Sequence, residues 1–496
     1  MKPYNLLFGL LWLSLSVTAQ ENVFLQRSFW KAKPSIAAVD AAIAEGNDPT
    51  ALNRAMFDGV CYALIERADN PTILHMMEQK GNAVDKLTHD GRTYIFWAAY
   101  RNNLEIMQWL VDRGAKADIN DAHGNSVLNF ALGTGQTDAR LFDFLLEHGA
   151  DIKSTTRSGA NALLLVASYA KDLTPINYFK DKGLSFESVD TDQNGLFAYA
   201  AKGGNLDVLK ALAAQGVPTT ITNAKQENAL FMAARGTRGH QNGKAVFTYL
   251  EGLGLAAATI NTDGQNLIHL IAANNTDLSL YEHLTDAGLD ANLQDGSGQT
   301  PLMNAARSNS KAVVAFLNTY IEDVNVRNEK GQSALTLAVQ RNQPEVVAYL
   351  LEQGADASVV DAKGNSLAYY LLPNFRATDA ADFEAKLTLL IQAGLRLDTA
   401  QHDGNTLLHL AAKNNNLALL KRLADAGIAI DQKNDEGNTA LHLAAMSTAD
   451  TKILKYLIAQ GADLSVKTDF EESVFDLASE NELLQSQQEA LDFLKR

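Results

Sequence analysis

Two stretches of this 496-residue chain decide its fold: GNTLLHLAAKNN at residues 404–415 and GNTALHLAAMST at residues 437–448. When the first glycine of each stretch is taken as a marker position, equivalent positions recur along the chain at intervals of 33 to 40 residues. An internal repeat is established first because it determines the whole architecture. The marker positions are Asp58, Gly91, Gly124, Gly159, Gln193, Gln226, Gly264, Gly298, Gly331, Gly364, Gly404, Gly437 and Glu471.

The repeated box resembles that of the ankyrin-repeat family, in which T-P-L-H-x-A-A begins the first helix of each repeat. GQTPLMNAA at residues 298–306 keeps the Thr-Pro-Leu of this box, and GNTALHLAA at residues 437–445 keeps its Thr, its His and its paired Ala. The resemblance covers roughly residues 58–496. It implies an all-α repeat fold, an ankyrin solenoid of about 12 to 13 helix-turn-helix units with hairpin-like finger loops.

The second half of a repeat also predicts a helix from its own residues. In LALLKRLADAGIAI, residues 417–430, apolar residues recur at helical spacing and a glycine follows, as expected where a chain leaves a helix in the left-handed conformation. Two such short helices cannot bury their apolar faces alone, so neighbouring repeats must stack into a solenoid. The same helix-ending glycine recurs as Gly114, Gly149, Gly216, Gly288, Gly354 and Gly461.

The repeat boundaries predict four segments. Residues 1–19 are expected to be a signal peptide, and residues 20–57 a degenerate N-terminal helix pair that acts as a cap. Residues 58–470 form the repeat array, and residues 471–496 form a C-terminal capping repeat. Caps are expected because an open-ended array would otherwise expose its last apolar face.

The first residues, MKPYNLLFGLLWLSLSVTAQ, have the pattern of a secretory signal peptide. Lys2 precedes a short apolar run, and Val17-Thr18-Ala19 offers a cleavage step after Ala19. The run is shorter than the roughly twenty apolar residues of a membrane anchor, so no membrane insertion is expected. Cys61 is the only cysteine, which excludes internal disulfides. We expect secretion across the inner membrane to a periplasmic or extracellular location, in a bacterium.

The net charge of the chain indicates which kinds of molecule it can bind. The net charge of −16 repels phosphate backbones and anionic lipids, which argues against nucleic-acid binding. Removal of residues 1–19 takes away one positive charge, that of Lys2, and leaves −17. The acidic surface favours a protein partner that carries a basic patch. We expect the protein itself to be a monomer.

Three histidines occupy the same slot of the repeated box: His269, His409 and His442. In the ankyrin pattern this histidine hydrogen-bonds within the adjoining loop, while the threonine of the box caps the first helix. Other repeats carry phenylalanine, asparagine, leucine or methionine in the slot, which a shared catalytic role would not permit. The resemblance therefore implies structural histidines, and no catalytic residue, metal ligand or cofactor site is predicted.

Two other patterns have a structural interpretation. Asp90, Asp121, Asp192 and Asp263 recur near the fingers, where aspartate favours turns by bonding to nearby backbone amides. Two longer segments, Gly236 to Lys244 and Leu372 to Lys386, are predicted insertions between the two helices of a repeat, either tolerated additions to the loop or functional loops. The first contains GHQNGKA, but a phosphate-binding loop needs four residues between its glycines and Ser or Thr after its lysine. Nucleotide binding is therefore not predicted.

The candidate partner-binding residues lie in the first complete repeats. His89, His123 and His402 precede marker positions at predicted finger tips, and neighbouring repeats are roughly 10 Å apart, too far for two tips to share a metal. Tyr100 and Arg101 follow the paired alanines of a first helix, at positions that in this family face the concave surface, and both residue types are frequent binding hot spots. The predicted contact residues, called the N-terminal strip below, are His89, Asp90, Arg92, Tyr100, Arg101 and His123.

These observations support two functional hypotheses. The first is an exported, non-enzymatic ankyrin-repeat scaffold that binds a protein partner through its finger loops and concave face. The alternative is an accessory or assembly factor for a periplasmic enzyme, including one that acts against oxidative stress, and it rests on resemblance alone. Neither hypothesis names the partner.

Overall fold

The computed structural model describes residues 22–486 and 491–495, so the predicted signal peptide lies outside the described residues. The chain divides between Ile221 and Thr222 into two compact parts, called here the N-terminal body and the C-terminal body. In the described residues of both, the regular structure is helical, loops join the helices, and extended backbone pairs only as isolated bridges. The all-α repeat fold expected from the sequence is confirmed.

The N-terminal body is built from successive helix pairs. From α3 onward the odd-numbered member is the first helix of a repeat and the even-numbered member is the second. Short 3-10 helices lie at Val23–Leu25 and His89–Gly91. The α-helices are α1 (Arg27–Lys31), α2 (Ile36–Ala44), α3 (Gly59–Ile65), α4 (Asn70–Met77), α5 (Tyr94–Tyr100), α6 (Leu104–Asp112), α7 (Val127–Gly133), α8 (Ala139–Glu147), α9 (Ala162–Ala167), α10 (Thr174–Asp181), α11 (Leu196–Gly203) and α12 (Leu206–Ala214).

The C-terminal body continues the same alternation. Its 3-10 helices are Leu372–Asn374, His402–Gly404 and Asp492–Leu494. In the described part of either body, no helix is both long and apolar enough to cross a membrane. The α-helices are α13 (Ala229–Arg235), α14 (Lys244–Gly252), α15 (Leu267–Ala272), α16 (Leu278–Asp286), α17 (Pro301–Ser308), α18 (Lys311–Asn318), α19 (Ala334–Arg341), α20 (Pro344–Glu352), α21 (Leu367–Leu371), α22 (Ala381–Gln392), α23 (Leu407–Lys413), α24 (Leu417–Arg422), α25 (Ala440–Ser447), α26 (Lys452–Ala459), α27 (Val474–Glu480) and α28 (Glu482–Ser486).

First and second helices are buried to different extents. In α5 every residue from Tyr94 to Ala99 is buried, because this helix packs against α3, α6 and α7. In α6 the fully buried residues are Ile106, Met107 and Leu110, which lie on one face at helical spacing. The core of each body is therefore a row of first helices covered on one side by second helices. The seven predicted helix-ending glycines, Gly427 included, all have φ between 71° and 98°, which confirms the left-handed exits.

Asparagine side chains fasten one repeat to the next. Nδ2 of Asn309 donates to the carbonyls of Ala272 and Asn275, both at 2.8 Å. Nδ2 of Asn342 makes the same pair of bonds one repeat later, to Ala306 and Asn309 at 2.9 Å. These carbonyls lie at or just beyond the end of a first helix, where the helix itself offers no partner. Each such asparagine thus fixes the register of two first helices.

Finger tips are joined by backbone hydrogen bonds. The N–H of Ala122 donates to the carbonyl of Asp90 at 2.8 Å, and the N–H of Glu329 donates to that of Ser297 at 2.9 Å. In both cases the donor lies two residues before its own marker position, and the acceptor lies one residue before the previous marker. Neighbouring fingers within a body are therefore held in a constant register.

The prediction that four aspartates shape the finger turns is correct only for Asp121. Its Oδ1 accepts hydrogen bonds from the backbone N–H groups two and four residues later, both at 2.9 Å. Asp90, Asp192 and Asp263 instead lie at the tip, one residue before the marker. For Asp192 and Asp263 the turn-forming acceptor is the side chain two residues earlier. The sequence pattern thus grouped Asp121, which lies three residues before its marker, with three aspartates that lie one residue before theirs.

The assignment of Asp58 to a marker position is wrong. The other marker residues lie two residues before the N-cap of a first helix, whereas Asp58 is itself the N-cap of α3 and accepts from the N–H of Cys61 at 2.9 Å. Met56, with φ 64°, occupies the marker position. The 33-residue spacing predicts Asp58 as the marker residue, but its carboxylate caps the N-terminus of α3 instead. It is fully buried, 2.8 Å from Nζ of Lys86 and 2.6 Å from the hydroxyl of Tyr94.

The two insertions differ. Gly236 to Lys244 follows α13, as expected, closes in a tight turn and ends at the first residue of α14. The segment Leu372 to Lys386 is only partly an insertion, because its last six residues form the start of α22, which is 12 residues long. Asp382 and Glu384 in the first turn of that helix favour the early start, since carboxylates stabilise a helix N-terminus. The inserted loop is therefore residues 372–380.

The structural role expected for the three box histidines is confirmed. In α25, His442 is fully buried and Thr439 is the N-cap. Nδ1 of His442 accepts from the N–H of Thr439 at 3.1 Å, so Nε2 carries the proton and donates to the carbonyl of Val466 at 3.1 Å. His269 and His409 make the equivalent bonds. Burial lowers the pKa of all three below the ordinary value of 6.5.

Replacement of His442 by alanine should lower the free energy of unfolding by about 1 to 3 kcal/mol, because Thr439 and Val466 lose their buried hydrogen-bond partner. The loss should shrink as pH falls below 6.5, since the unfolded histidine then binds a proton that the buried ring does not, and this already destabilises the parent protein. Denaturant unfolding at several pH values measures both effects.

His240→Ala is the matched control, because this histidine lies exposed in the loop between α13 and α14. It should leave stability nearly unchanged. Elemental analysis of the parent protein and of His442→Ala completes the test. A stoichiometric metal that disappears with His442 would contradict the structural role.

Candidate functional site

A chain of aromatic rings underlies the N-terminal strip. Phe57 stacks on His89 with ring centroids 4.3 Å apart and lies 5.4 Å from Trp97. Trp97 meets Phe130 edge to face at 5.9 Å, and Phe130 lies 6.1 Å from Tyr100. These rings come from consecutive first helices and the fingers before them. They form a continuous aromatic layer across neighbouring repeats.

Arg92 is buried, which contradicts its prediction as a contact residue. Its side chain is only 9% exposed, and its Nε and one terminal nitrogen donate to Asp121 at 3.0 and 2.8 Å. The other terminal nitrogen donates to Asp90 at 3.0 Å. The guanidinium plane lies over Phe130 at 4.3 Å and over Trp97 at 5.5 Å. Arg92 therefore links two fingers to the aromatic layer beneath them.

Asp121 is the buried counter-charge of this arrangement. Burial alone would raise the pKa of Asp121, but hydrogen bonds from the Asn125 backbone and from Arg92 hold it below its ordinary value. Its side chain has no exposure, so both charges depend on each other for solvation. The Arg92–Asp121 pair therefore holds the finger that contains Asp121 against the finger that contains Arg92.

Two histidines from neighbouring fingers converge on Asp90. Nε2 of His89 lies 3.3 Å from Oδ2 of Asp90, and Nε2 of His123 lies 3.2 Å from the same atom. Side chains of neighbouring fingers thus reach across the roughly 10 Å repeat spacing to a shared carboxylate. Among the described residues, however, no group of three or more His, Cys, Asp or Glu is arranged to hold a metal ion. The third group that contacts the Asp90 carboxylate is the guanidinium of Arg92, which donates to it at 3.0 Å.

Tyr100 and Arg101 lie together at the end of α5. The Arg101 guanidinium lies over the Tyr100 ring at 4.5 Å and donates to the carbonyl of Ile65, the last residue of α3. Burial lowers the pKa of Arg101, and its Nε is buried without a hydrogen-bond partner among the described residues. Arg101 therefore also joins two repeats, and it is partly exposed. Tyr100 remains partly exposed.

The accessible part of the strip is smaller than predicted. The side chain of His123 is 53% exposed, that of His89 35% and that of Asp90 29%. With the partly exposed Tyr100 and Arg101, these residues form the surface, while the buried Arg92 lies beneath them and pairs with Asp90. Sequence reasoning missed Phe57 and Phe130, although one signal was available. The fourth residue after the N-cap is aromatic in consecutive N-terminal repeats, as Tyr62, Trp97 and Phe130.

The comparison with known families agrees with this architecture. The family model described as ankyrin repeats (3 copies) matches residues 40–156, 268–361 and 376–468, more than half of the chain. The chain belongs to the ankyrin-repeat family. Ankyrin repeats generally mediate protein–protein interaction, and the fold typically serves as a non-enzymatic binding scaffold. A surface carried by ankyrin fingers and first helices is therefore the relevant kind of site.

Individual relatives share only the repeats. A stretch of 155 residues is 27% identical to the L-asparaginase of Dirofilaria immitis and covers 31% of this chain and 25% of that protein. A stretch of 81 residues is 35% identical to the E3 ubiquitin-protein ligase KEG of Arabidopsis thaliana and covers 16% of this chain and 5% of that protein. The chain thus spans a quarter or less of these curated relatives. The crystal structure of the ankyrin repeat domain of Bcl-3 aligns at 22% identity and a TM-score of 0.35, over 54% of this chain and 99% of that domain.

Replacement of Arg92 by alanine should lower the free energy of unfolding by about 3 to 5 kcal/mol, because Asp121 would keep a buried and uncompensated charge. Arg140→Ala is the control: its guanidinium is 78% exposed and pairs with Asp138 at the surface, so the unfolding midpoint should barely move. Chemical denaturation followed by circular dichroism compares the two variants. Equal midpoints for Arg92→Ala and the parent protein would contradict the linking role.

Proposed function

We propose that this protein is an exported, non-enzymatic scaffold that binds a protein partner through the accessible part of the N-terminal strip. One observation carries the proposal: His89 and Tyr100 contact an aromatic layer that Arg92 fastens to two fingers, and His123 reaches Asp90, which Arg92 also holds. A surface fixed in this way loses little side-chain entropy when a partner binds. Aromatic residues among charged ones are also the composition expected at the centre of a protein interface.

The charge of the chain supports a partner with a basic patch. A net charge of −16 before cleavage, and −17 after it, attracts cationic surfaces over a distance that salt shortens. Asp90 adds a carboxylate within the strip itself, 29% exposed. Association should therefore become slower as ionic strength rises.

The two ends of the array are proposed to be caps. Phe24 and Trp30 in segment 20–57 are fully buried and lie 3.1 and 3.4 Å from where a Cβ at Gly59 would be, so this segment covers α3. Asn481 in segment 471–496 donates to the carbonyls of Ala445 and Thr448 at 2.8 Å. Both contacts support segments that cover an apolar face, and with covered ends the protein is proposed to be a monomer.

Once a partner has been captured from the native cell and identified by mass spectrometry, the double variant Tyr100→Ala with His123→Ala should weaken its binding by about 2 kcal/mol or more. Both side chains are at least partly exposed, so the melting curve should stay nearly unchanged. Arg101 is left in place, because it bonds to Ile65 and its loss would confuse stability with binding.

Tyr320→Ala is the control, because this tyrosine is 43% exposed in the C-terminal body. Titration calorimetry at two salt concentrations measures the affinities. Undiminished affinity in the double variant, with a normal melting curve, would refute the placement of the site.

Export is proposed from residues 1–19, with cleavage after Ala19 and a periplasmic or extracellular destination. The charged start, the short apolar run and the small residues before Gln20 support it. Intact-mass measurement of protein from the periplasm and medium of an expressing bacterium should give a chain that begins at Gln20. Recovery of the protein only from the cytoplasm, with Met1 or Lys2 still at its start, would overturn the proposal.

A further inference from the structure

The inserted loop of the C-terminal body forms one wall of a pocket. Residues 372–380 separate α21 from α22, and the pocket between this loop and α23 and α24 has a volume of about 500 Å³. A space of this size accommodates a side chain together with adjoining backbone. Its walls include Tyr369, Leu372, Pro373, Arg376, Leu410 and Asn414.

The loop is anchored from below, so the pocket wall is held in place. Nδ2 of Asn374 donates to the carbonyls of Val339 and Gln340 at 3.1 and 3.0 Å. Nζ of the buried Lys386 donates to the Val339 carbonyl at 3.3 Å. These carbonyls belong to the last turn of α19, where cations and donors are favourable. A wall fixed by such bonds needs little rearrangement when a ligand enters.

The electrostatic character of this pocket differs from that of the whole chain. No lining residue is acidic, although the protein carries a net charge of −16, and Arg376 supplies a cation. One terminal nitrogen of Arg376 donates to the carbonyls of Pro373 and Phe375 at 2.8 and 2.9 Å. Its other nitrogens have no partner among the described residues, and the side chain is exposed. They are available to a carboxylate, the anion that a guanidinium binds best by paired hydrogen bonds.

The pocket continues into a neighbouring depression through Tyr369, which lines both and is 38% exposed. The depression, of about 460 Å³, is lined by Lys330 and Lys363 at finger tips, and by Glu329 and Asp361. Asp361 is already engaged, since it accepts from the Tyr370 hydroxyl at 2.6 Å and from its own finger turn. An extended segment that leaves the pocket past Tyr369 therefore passes two further cations, Lys330 and Lys363, and the single carboxylate of Glu329.

We infer that this pocket is a second docking site, for an acidic segment of a partner protein in which an aromatic or branched apolar side chain lies beside aspartate or glutamate. The apolar side chain enters between Leu372, Pro373 and Leu410, and the carboxylate meets Arg376. The inference rests on the proposed scaffold function only in taking a protein as the occupant. Its residues and its charge preference differ from those of the N-terminal strip.

The test uses the full-length protein and three fluorescein-labelled pools of nine-residue peptides. The first pool has a central Leu, Phe or Trp flanked by Asp and Glu, the second has the same centre flanked by Lys and Arg, and the third has a central Ser flanked by Asp and Glu. Fluorescence anisotropy should show the first pool binding about tenfold or more tightly than the other two, the value expected for one charge-assisted contact plus a buried side chain.

Two pairs of matched variants locate the site. Arg376→Ala and Tyr369→Ala should each weaken binding of the first pool by about tenfold or more, and Arg376→Glu should shift the preference to the second pool. Arg396→Ala and Tyr320→Ala are the controls, because both side chains are exposed outside the pocket, with side-chain exposure of 76% for Arg396 and residue exposure of 43% for Tyr320. They should bind as the parent protein does. Melting curves verify that every variant is folded.

Several outcomes would overturn the inference: no saturable binding of the first pool, equal binding of the second pool, or folded Arg376→Ala that binds normally. N-acetylphenylalanine that competes with an affinity equal to that of the first pool would assign the pocket to a small carboxylate instead. The double variant Tyr100→Ala with His123→Ala should retain peptide binding in full. The peptide assay and the partner assay therefore fail independently.

Discussion

Each first helix is buried on several sides at once, and neither body could form without this arrangement. A helix as short as α5 can bury all residues from Tyr94 to Ala99 only because first helices lie on both of its flanks and a second helix covers its back. The alanine pair at its end lets backbones approach closely, and such close packing leaves little freedom for one repeat to slide over the next. The bonds from Asn309 and Asn342 to preceding carbonyls are possible only in this register.

A fixed register turns one sequence position into a row of neighbouring side chains. The residue after the marker illustrates this, because it bridges to the next finger with whatever chemistry the repeat supplies. Gln265 donates to Asp295 at 3.1 Å, whereas Arg92 at the same position makes an ion pair with Asp121. The Gln265 side chain is uncharged and brings no charge of its own to the carboxylate of Asp295. The guanidinium of Arg92, by contrast, also lies over Phe130 and donates to Asp90. At this position, therefore, the residue type decides whether the side chain only joins two fingers or also holds surface residues in place.

The sequence predicts the backbone of this protein better than its side-chain contacts. The repeat period and the Thr-His pair of residues 439–442 predict helix starts, caps and buried histidines correctly, because these depend on residues three or four positions apart. The sequence pattern places Arg92 and His123 in one exposed strip, but of these two only His123 is exposed. The partner of Arg92 lies 29 residues away in the next finger. A spacing rule gives the distance between repeats but not the reach of a long side chain across it.

The inserted loop shows why a solenoid can acquire a second site without loss of the first. Asn374 bonds to the carbonyls of Val339 and Gln340 as Asn342 bonds to those of Ala306 and Asn309, so the connection between repeats is kept where the loop begins. The extra residues follow this connection and leave the stacked first helices undisturbed. Because each repeat depends only on its neighbours, the energetic cost of the loop stays local to α21 and α22. The loop is therefore free to vary in length and charge, and an arginine there can give one face of an acidic protein the opposite preference.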